Sequence, residues 1–158
     1  MNIYLKQKVF SWSDKFTVYD EQGNDLFYVK GEFFSWGKKL HILDRNENEV
    51  AFIHQKVLSF FPKYYVSIDG QDVAEVVREF AFFRHRYAVN GLGWRVEGDF
   101  FCHEYDISCG GVSVARVSKA WLSWGDTYQI AVENGFDHVS VLAIALVIDA
   151  RIEADENN

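Results

Sequence analysis

The triplet Phe10-Ser11-Trp12 recurs as Phe34-Ser35-Trp36 and again as Leu58-Ser59-Phe60, each copy 24 positions after the last. The same step relates Phe16, Leu40 and Tyr64, then Val18, Ile42 and Val66, then Leu26, Val50 and Ala74, then Val29, Ile53 and Val77. A fixed period of this size means one supersecondary unit used repeatedly, each copy burying its apolar face against its neighbours. Within a unit, apolar Phe16 and Val18 alternate with Thr17 and Tyr19, the period of a strand with two unlike faces. The turns Glu21-Gln22-Gly23-Asn24, Arg45-Asn46-Glu47-Asn48 and Asp69-Gly70-Gln71 divide the units, so each unit reads as a β-hairpin.

The pattern loosens but persists after residue 80. Arg86-Tyr87-Ala88-Val89 is followed by Trp94-Arg95-Val96, Glu104-Tyr105-Asp106-Ile107 by Ser113 to Val117, and Leu122-Ser123-Trp124 by Thr127 to Val132. About 12 antiparallel strands in one small domain must curl or close, because open edges invite intermolecular pairing. The last segment changes period. Asp137 can cap a helix, and Val139 and Val141 to Ile148 follow with almost no polar face. A helix that is apolar all round must be buried all round. A barrel of a dozen strands is too wide for its own side chains to fill, and a central helix supplies the missing core. The expected architecture is therefore mainly β: a closed antiparallel barrel around a hydrophobic C-terminal helix. It forms a single domain over 1–158, with strands in 1–133 and the helix at about 137–153.

Charge and cysteine content narrow the chemistry. Residues 1–96 carry 13 bases and 12 acids, whereas residues 97–158 carry 3 bases and 11 acids, within a net charge of -7. That balance opposes the long-range attraction on which nucleic-acid binding depends, and nucleic acid is not an expected partner. Cys102 and Cys109 fit no zinc spacing and read as free, buried thiols on opposite faces of a strand. No metal or cofactor is expected. The first residues, Met1 to Lys6, lack the basic start and apolar stretch of a secretory signal, and the apolar helix is shorter than a bilayer span, so a cytoplasmic monomer is the expectation.

Several segments together resemble the LURP-one-related family, which belongs to the tubby C-terminal-like group with the phospholipid scramblases. They are the opening Tyr4-Leu5-Lys6-Gln7-Lys8, the Phe-Ser-Trp units, and Gly91-Leu92-Gly93-Trp94 with Val96-Glu97-Gly98-Asp99-Phe100. Leu122-Ser123-Trp124-Gly125-Asp126-Thr127-Tyr128 before the apolar helix completes the set. The resemblance covers nearly the whole chain. It implies a twelve-stranded barrel around a hydrophobic C-terminal helix. Relatives in that group bind phosphoinositide headgroups or act at membranes, but no tubby-type basic constellation, scramblase cysteine cluster or calcium loop is present to carry over.

No catalytic motif stands out. Gly91-Leu92-Gly93 lacks the third glycine of a dinucleotide loop, and His41, His54, His85, His103 and His138 are scattered. Asp99, His103, Glu104 and Asp106 form a segment that could place an acid and a base together. The chain therefore reads as a non-enzymatic binding module. The candidate ligand-binding residues are Arg84, His85 and Arg86, set among Phe82, Phe83 and Tyr87, joined by Lys38 and Lys39 if closure brings them together. Arginine's donor fork suits phosphate, so the expected partner is an anionic lipid headgroup or membrane surface, bound peripherally. The alternatives are a protein-interaction domain using its acidic second half and, third, an enzyme centred on the Asp99 to Asp106 segment. Trp12, Trp36, Phe60, Phe61 and Trp124 are expected to close the hairpin ends over the core.

Overall fold

The computed structural model describes residues 1–6, 15–34, 37–57, 63–80, 85–122 and 125–156. The repeated Trp12, Trp36, Phe60, Phe61 and Trp124, together with Arg84, lie outside these residues. Twelve strands run in chain order. They are β1 (Asn2–Lys6), β2 (Lys15–Tyr19), β3 (Asp25–Phe34), β4 (Gly37–Leu43), β5 (Glu49–Lys56) and β6 (Lys63–Ile68), then β7 (Gln71–Glu79), β8 (Arg86–Asn90), β9 (Trp94–Asp99), β10 (Glu104–Cys109), β11 (Val112–Leu122) and β12 (Gly125–Val132). A single helix, α1 (His138–Glu156), follows. Each strand pairs antiparallel with its sequence neighbours, and β1 pairs with β12 to close the barrel. Closure leaves no strand edge to recruit another chain.

Alternation decides what the wall presents inward. Ile3 and Leu5, Phe16 and Val18, Leu40 and Ile42, Ala51 and Ile53, Tyr64 and Val66, and Tyr105 and Ile107 are all buried, at 5% exposure or less. Register stacks these inward positions into continuous rings: Ile3 opposes Ile130, Ile130 opposes Val117, and Val117 opposes Tyr105. The centre is occupied by α1, whose Val141 to Ile148 are all at 2% exposure or less. Asp137 caps the helix by accepting hydrogen bonds from Ser140 N at 2.8 Å and Ser140 Oγ at 2.6 Å. Tyr105 Oη donates to Ala145 O at 3.3 Å, tying wall to helix within the core. Burial holds this phenol's pKa well above the ordinary tyrosine range.

The 24-residue step reappears in backbone detail. Register shifts fall between Val18 and Tyr19, Ile42 and Leu43, and Val66 and Ser67. Asp20 Oδ1 accepts from Gln22 N at 2.9 Å and Asn24 N at 2.8 Å, while Asp44 Oδ1 accepts from Asn46 N at 2.8 Å and Asn48 N at 2.9 Å. These Asx-type turns pre-organise the hairpin bends, and the bulges add the local twist that curls a sheet into a barrel. Glu47, with φ of 63°, occupies the place that Gly23 takes one step earlier at 82°.

The strand ends sort to the two ends of the barrel. Tight turns at residues 20–24, 44–48, 69–70, 91–93 and 110–111 gather at the end where α1 begins. The C-terminal ends of β1, β3, β5, β7, β9 and β11 lie at the other, where α1 ends. Cys102 sits in the β9–β10 connection and is exposed, while Cys109 is half-buried at the end of β10. The expectation of two buried thiols on one strand is corrected for Cys102, because the turn through residues 100–103, with His103 at φ of 54°, interrupts that strand.

Candidate ligand-binding site

Parity along the strands at the helix-exit end determines which charged side chains enter the barrel mouth. On β7, Ala74 and Val76 face inward, so Arg78 falls on the inner side. On β8, Tyr87 and Val89 face inward, and His85, exposed just before β8, reaches the same mouth through its contact with Arg78. Register places Arg78 opposite Tyr87. Arg78 Nη2 donates to His85 Nδ1 at 2.6 Å, and Nη1 donates to Asp155 Oδ2 of the last helical turn at 3.3 Å. Arg78 Nε is sealed from solvent and has no hydrogen-bond partner among the described residues.

These groups line an open cleft of about 400 Å³, formed by Arg78, His85, Tyr87, Phe100, Phe101, Ile152 and Asp155. Tyr87 and Phe100 meet edge to face, with ring centroids 5.1 Å apart and planes at 85°. Phe101 is 83% exposed, and Phe80 at the end of β7 is 77% exposed. Burial raises the Tyr87 phenol's pKa, opposed in part by the buried Arg151 guanidinium, which also hydrogen-bonds it. The volume lies toward the lower part of the roughly 300–1,000 Å³ range of small-ligand sites. The lining matches their usual make-up, mostly apolar with a few convergent polar groups.

Of the five residues expected to bind from the sequence, Arg84 lies outside the described residues, and the other four, Lys38, Lys39, His85 and Arg86, do not form one patch. Lys38 keeps the inward parity of Leu40 and Ile42, and its Nζ lies 3.6 Å from Glu153 Oε2 on α1, so it belongs to the inner mouth with His85. Lys39 is exposed on the outer wall. Arg86 also faces outward, with Nε 3.1 Å from Glu79 Oε2 and Nη1 3.4 Å from Glu97 Oε1. The wall thus separates His85 from Arg86. In addition β4 and β8 stand four strand positions apart, roughly 19 Å along the wall at ~4.8 Å per strand.

The acidic segment does not converge either. Asp99 Oδ1 accepts from Cys102 N at 3.1 Å, Asp106 pairs with Arg116 at 2.9 Å, and His103 turns inward, its Nδ1 3.4 Å from Asp149 Oδ1. Backbone and side-chain hydrogen bonds from Cys102 hold the Asp99 carboxyl below its ordinary pKa. Among the described residues, no group of three or more His, Cys, Asp or Glu side chains is arranged to hold a metal. Nor is any helix among them long and apolar enough to cross a bilayer.

Comparison with known proteins matches residues 1–149 to the LURP-one-related family. The chain belongs to the LURP-one-related family. It is 36% identical over 157 residues to the uncharacterised protein YxjI of Bacillus subtilis (strain 168), covering 99% of this chain and 97% of that protein. An X-ray structure of a protein from Arabidopsis thaliana shares the fold at a TM-score of 0.68 and 17% identity, over 95% of this chain and 90% of the other.

In this LURP-one-related chain, Arg78 carries the centre of the cleft, and the sequence reading passed over it. Val77-Arg78-Glu79 looks like the ordinary polar end of a strand. A usable signal was present nonetheless: counting in twos from Ala74 and Val76 lands a guanidinium on the core face, where charges are rarely left without purpose. Ile152 and Asp155 carried no comparable signal, since nothing local says that the end of α1 emerges beside β7.

Proposed function

We propose that this LURP-one-related chain is a non-enzymatic binding module that takes a phospholipid headgroup at the helix-exit end of its barrel, peripherally at a membrane surface. The observation that carries this reading is the cleft itself, in which Arg78 and His85 are set among Tyr87, Phe100 and Ile152 and flanked by the strongly exposed Phe101. A cation recessed behind protruding aromatic rings suits a bilayer interface, where the ring enters the headgroup layer and the guanidinium meets phosphate. The inner mouth holds balanced charges, Lys38 with Glu153 and Arg78 with Asp155, so attraction to a membrane rests on the local site rather than on net charge. Co-sedimentation with neutral and anionic liposomes at two salt concentrations tests this. Wild-type protein should pellet with vesicles, and Phe101→Asp should stay in the supernatant at unchanged melting temperature. Failure of the wild type to pellet with any vesicle would remove the membrane reading.

A further inference from the structure

The cleft is not built for a simple anion. Among the described residues its polar groups are one guanidinium and one carboxylate, already 3.3 Å apart, an imidazole that accepts from the guanidinium, and the Tyr87 phenol. Its apolar walls are three aromatic rings and an isoleucine. A plain phosphate would meet Asp155 as a like charge, and a plain cation would meet Arg78. A ligand carrying both charges on neighbouring atoms meets neither conflict.

We propose, resting on the headgroup reading, that the cleft recognises a zwitterionic phosphoryl-alkylammonium group of the phosphocholine type. The phosphoryl oxygens sit at the Arg78 guanidinium, whose Nη1 and Nη2 each carry a second N–H beyond those given to Asp155 and His85. The guanidinium fork binds phosphate in two-point fashion, as an ammonium in its place would not. The ligand's methylated ammonium lies in the corner made by Tyr87 and Phe100, whose planes meet at 85°, with the exposed Phe101 as the third wall. Aromatic faces attract quaternary ammonium groups through the ring quadrupole, and Asp155 supplies the counter-charge while staying paired with Arg78. Ile152 meets the first methylenes of the lipid's glycerol side. The two charges of the ligand thereby repeat, in reverse order, those of the Arg78–Asp155 pair.

Isothermal titration with soluble probes tests the assignment: dihexanoyl phosphatidylcholine, phosphocholine, dihexanoyl phosphatidylglycerol, choline and inorganic phosphate. The two choline phosphodiester and monoester probes should bind at least tenfold more tightly than choline or phosphate alone, and more tightly than the phosphatidylglycerol probe. Arg78→Gln should weaken phosphocholine binding about tenfold or more, and Phe101→Ala about fivefold, the size expected of one cation–π wall. Phe101 is mostly exposed, so its variant keeps the test open if Arg78→Gln does not fold. Equal binding of inorganic phosphate or of the phosphatidylglycerol probe, or insensitivity to both substitutions, overturns the assignment. Vesicle pelleting without phosphocholine binding sinks the zwitterion assignment and leaves the membrane reading standing. Phosphocholine binding without pelleting does the opposite.

Discussion

At the residue scale, Gly98 shows why a motif glycine is not exchangeable. It sits in β9 at φ of 155°, and a Cβ there would lie 2.5 Å from both Glu104 O and Tyr105 Cα and 2.8 Å from Tyr105 Cβ. Backbone cannot yield as a flexible side chain can, so Gly98→Ala is expected to cost roughly 2–4 kcal/mol, measured by denaturant unfolding. Asp149 is the second instructive residue. It is buried in the core helix, and loss of hydration pushes its carboxyl pKa up, outweighing the hydrogen bond from His103 that lowers it. A carboxylate whose pKa rises on folding supports the fold fully below the ordinary aspartate range. That support is lost as pH rises through the raised value. Asp149→Asn should therefore gain melting temperature relative to wild type at pH 8 compared with pH 4.5, as a paired thermal titration would show. The depressed carboxyls of Asp20, Asp44 and Asp99 act in the opposite sense in acid, but they are common to both proteins and cancel in the difference.

At the element scale, the seams of the barrel are unequal. β1 shares five register pairs with β12, from Asn2↔Ala131 to Lys6↔Thr127, but only Tyr4↔Tyr19 with β2 among the described residues. Fewer cross-strand hydrogen bonds mean a lower local opening free energy. Hydrogen exchange followed by NMR should show β1 amides directed at β2 exchanging faster than those directed at β12, and equal protection would refute the weak seam. The helix poses a different problem. With apolar residues on every side it has no rotational setting from hydrophobicity alone. Its rotation follows from two buried polar residues, Asp149 reaching His103 on one side and Arg151 reaching Tyr87 on the other. Arg151 also lies near Tyr64, whose pKa burial pushes up to about 12.

At the scale of the whole molecule, the barrel and its helix form one core. Inward-facing side chains from all twelve strands converge on α1, and without it the ring of Ile3, Val18, Ile42, Ile53, Val66, Val96 and Ile107 would enclose a void. Protein interiors do not tolerate a gap of that size. Ending the chain after Glu133 should abolish the cooperative thermal transition, leaving a species that binds hydrophobic dyes. A cooperative melt within a few degrees of the full-length protein would show that the wall supports itself. The same convergence positions the ligand cleft, because α1 must leave the barrel at the mouth opposite its Asp137 cap, carrying Ile152 and Asp155 to Arg78.

The strands, their inward and outward faces, the need for closure and the filling helix were all legible in the chain, because each follows from local periodicity: two for a strand, an unbroken apolar run for the helix, and 24 for the hairpin unit. The helix extends to Glu156 rather than about 153, since helix ends depend on what the emerging turn meets, here Lys38 and Arg78. What periodicity cannot show is which strands become neighbours across the mouth and where the helix leaves it. The basic residues grouped by sequence were therefore split by the wall, with His85 and Lys38 at the mouth and Arg86 and Lys39 outside. Arg78, 77 positions from Asp155 in the chain, acquires its partner only through closure. Proximity between residues so far apart is a property of the folded path, set by register and by the route of the helix through the core, and no local pattern encodes it.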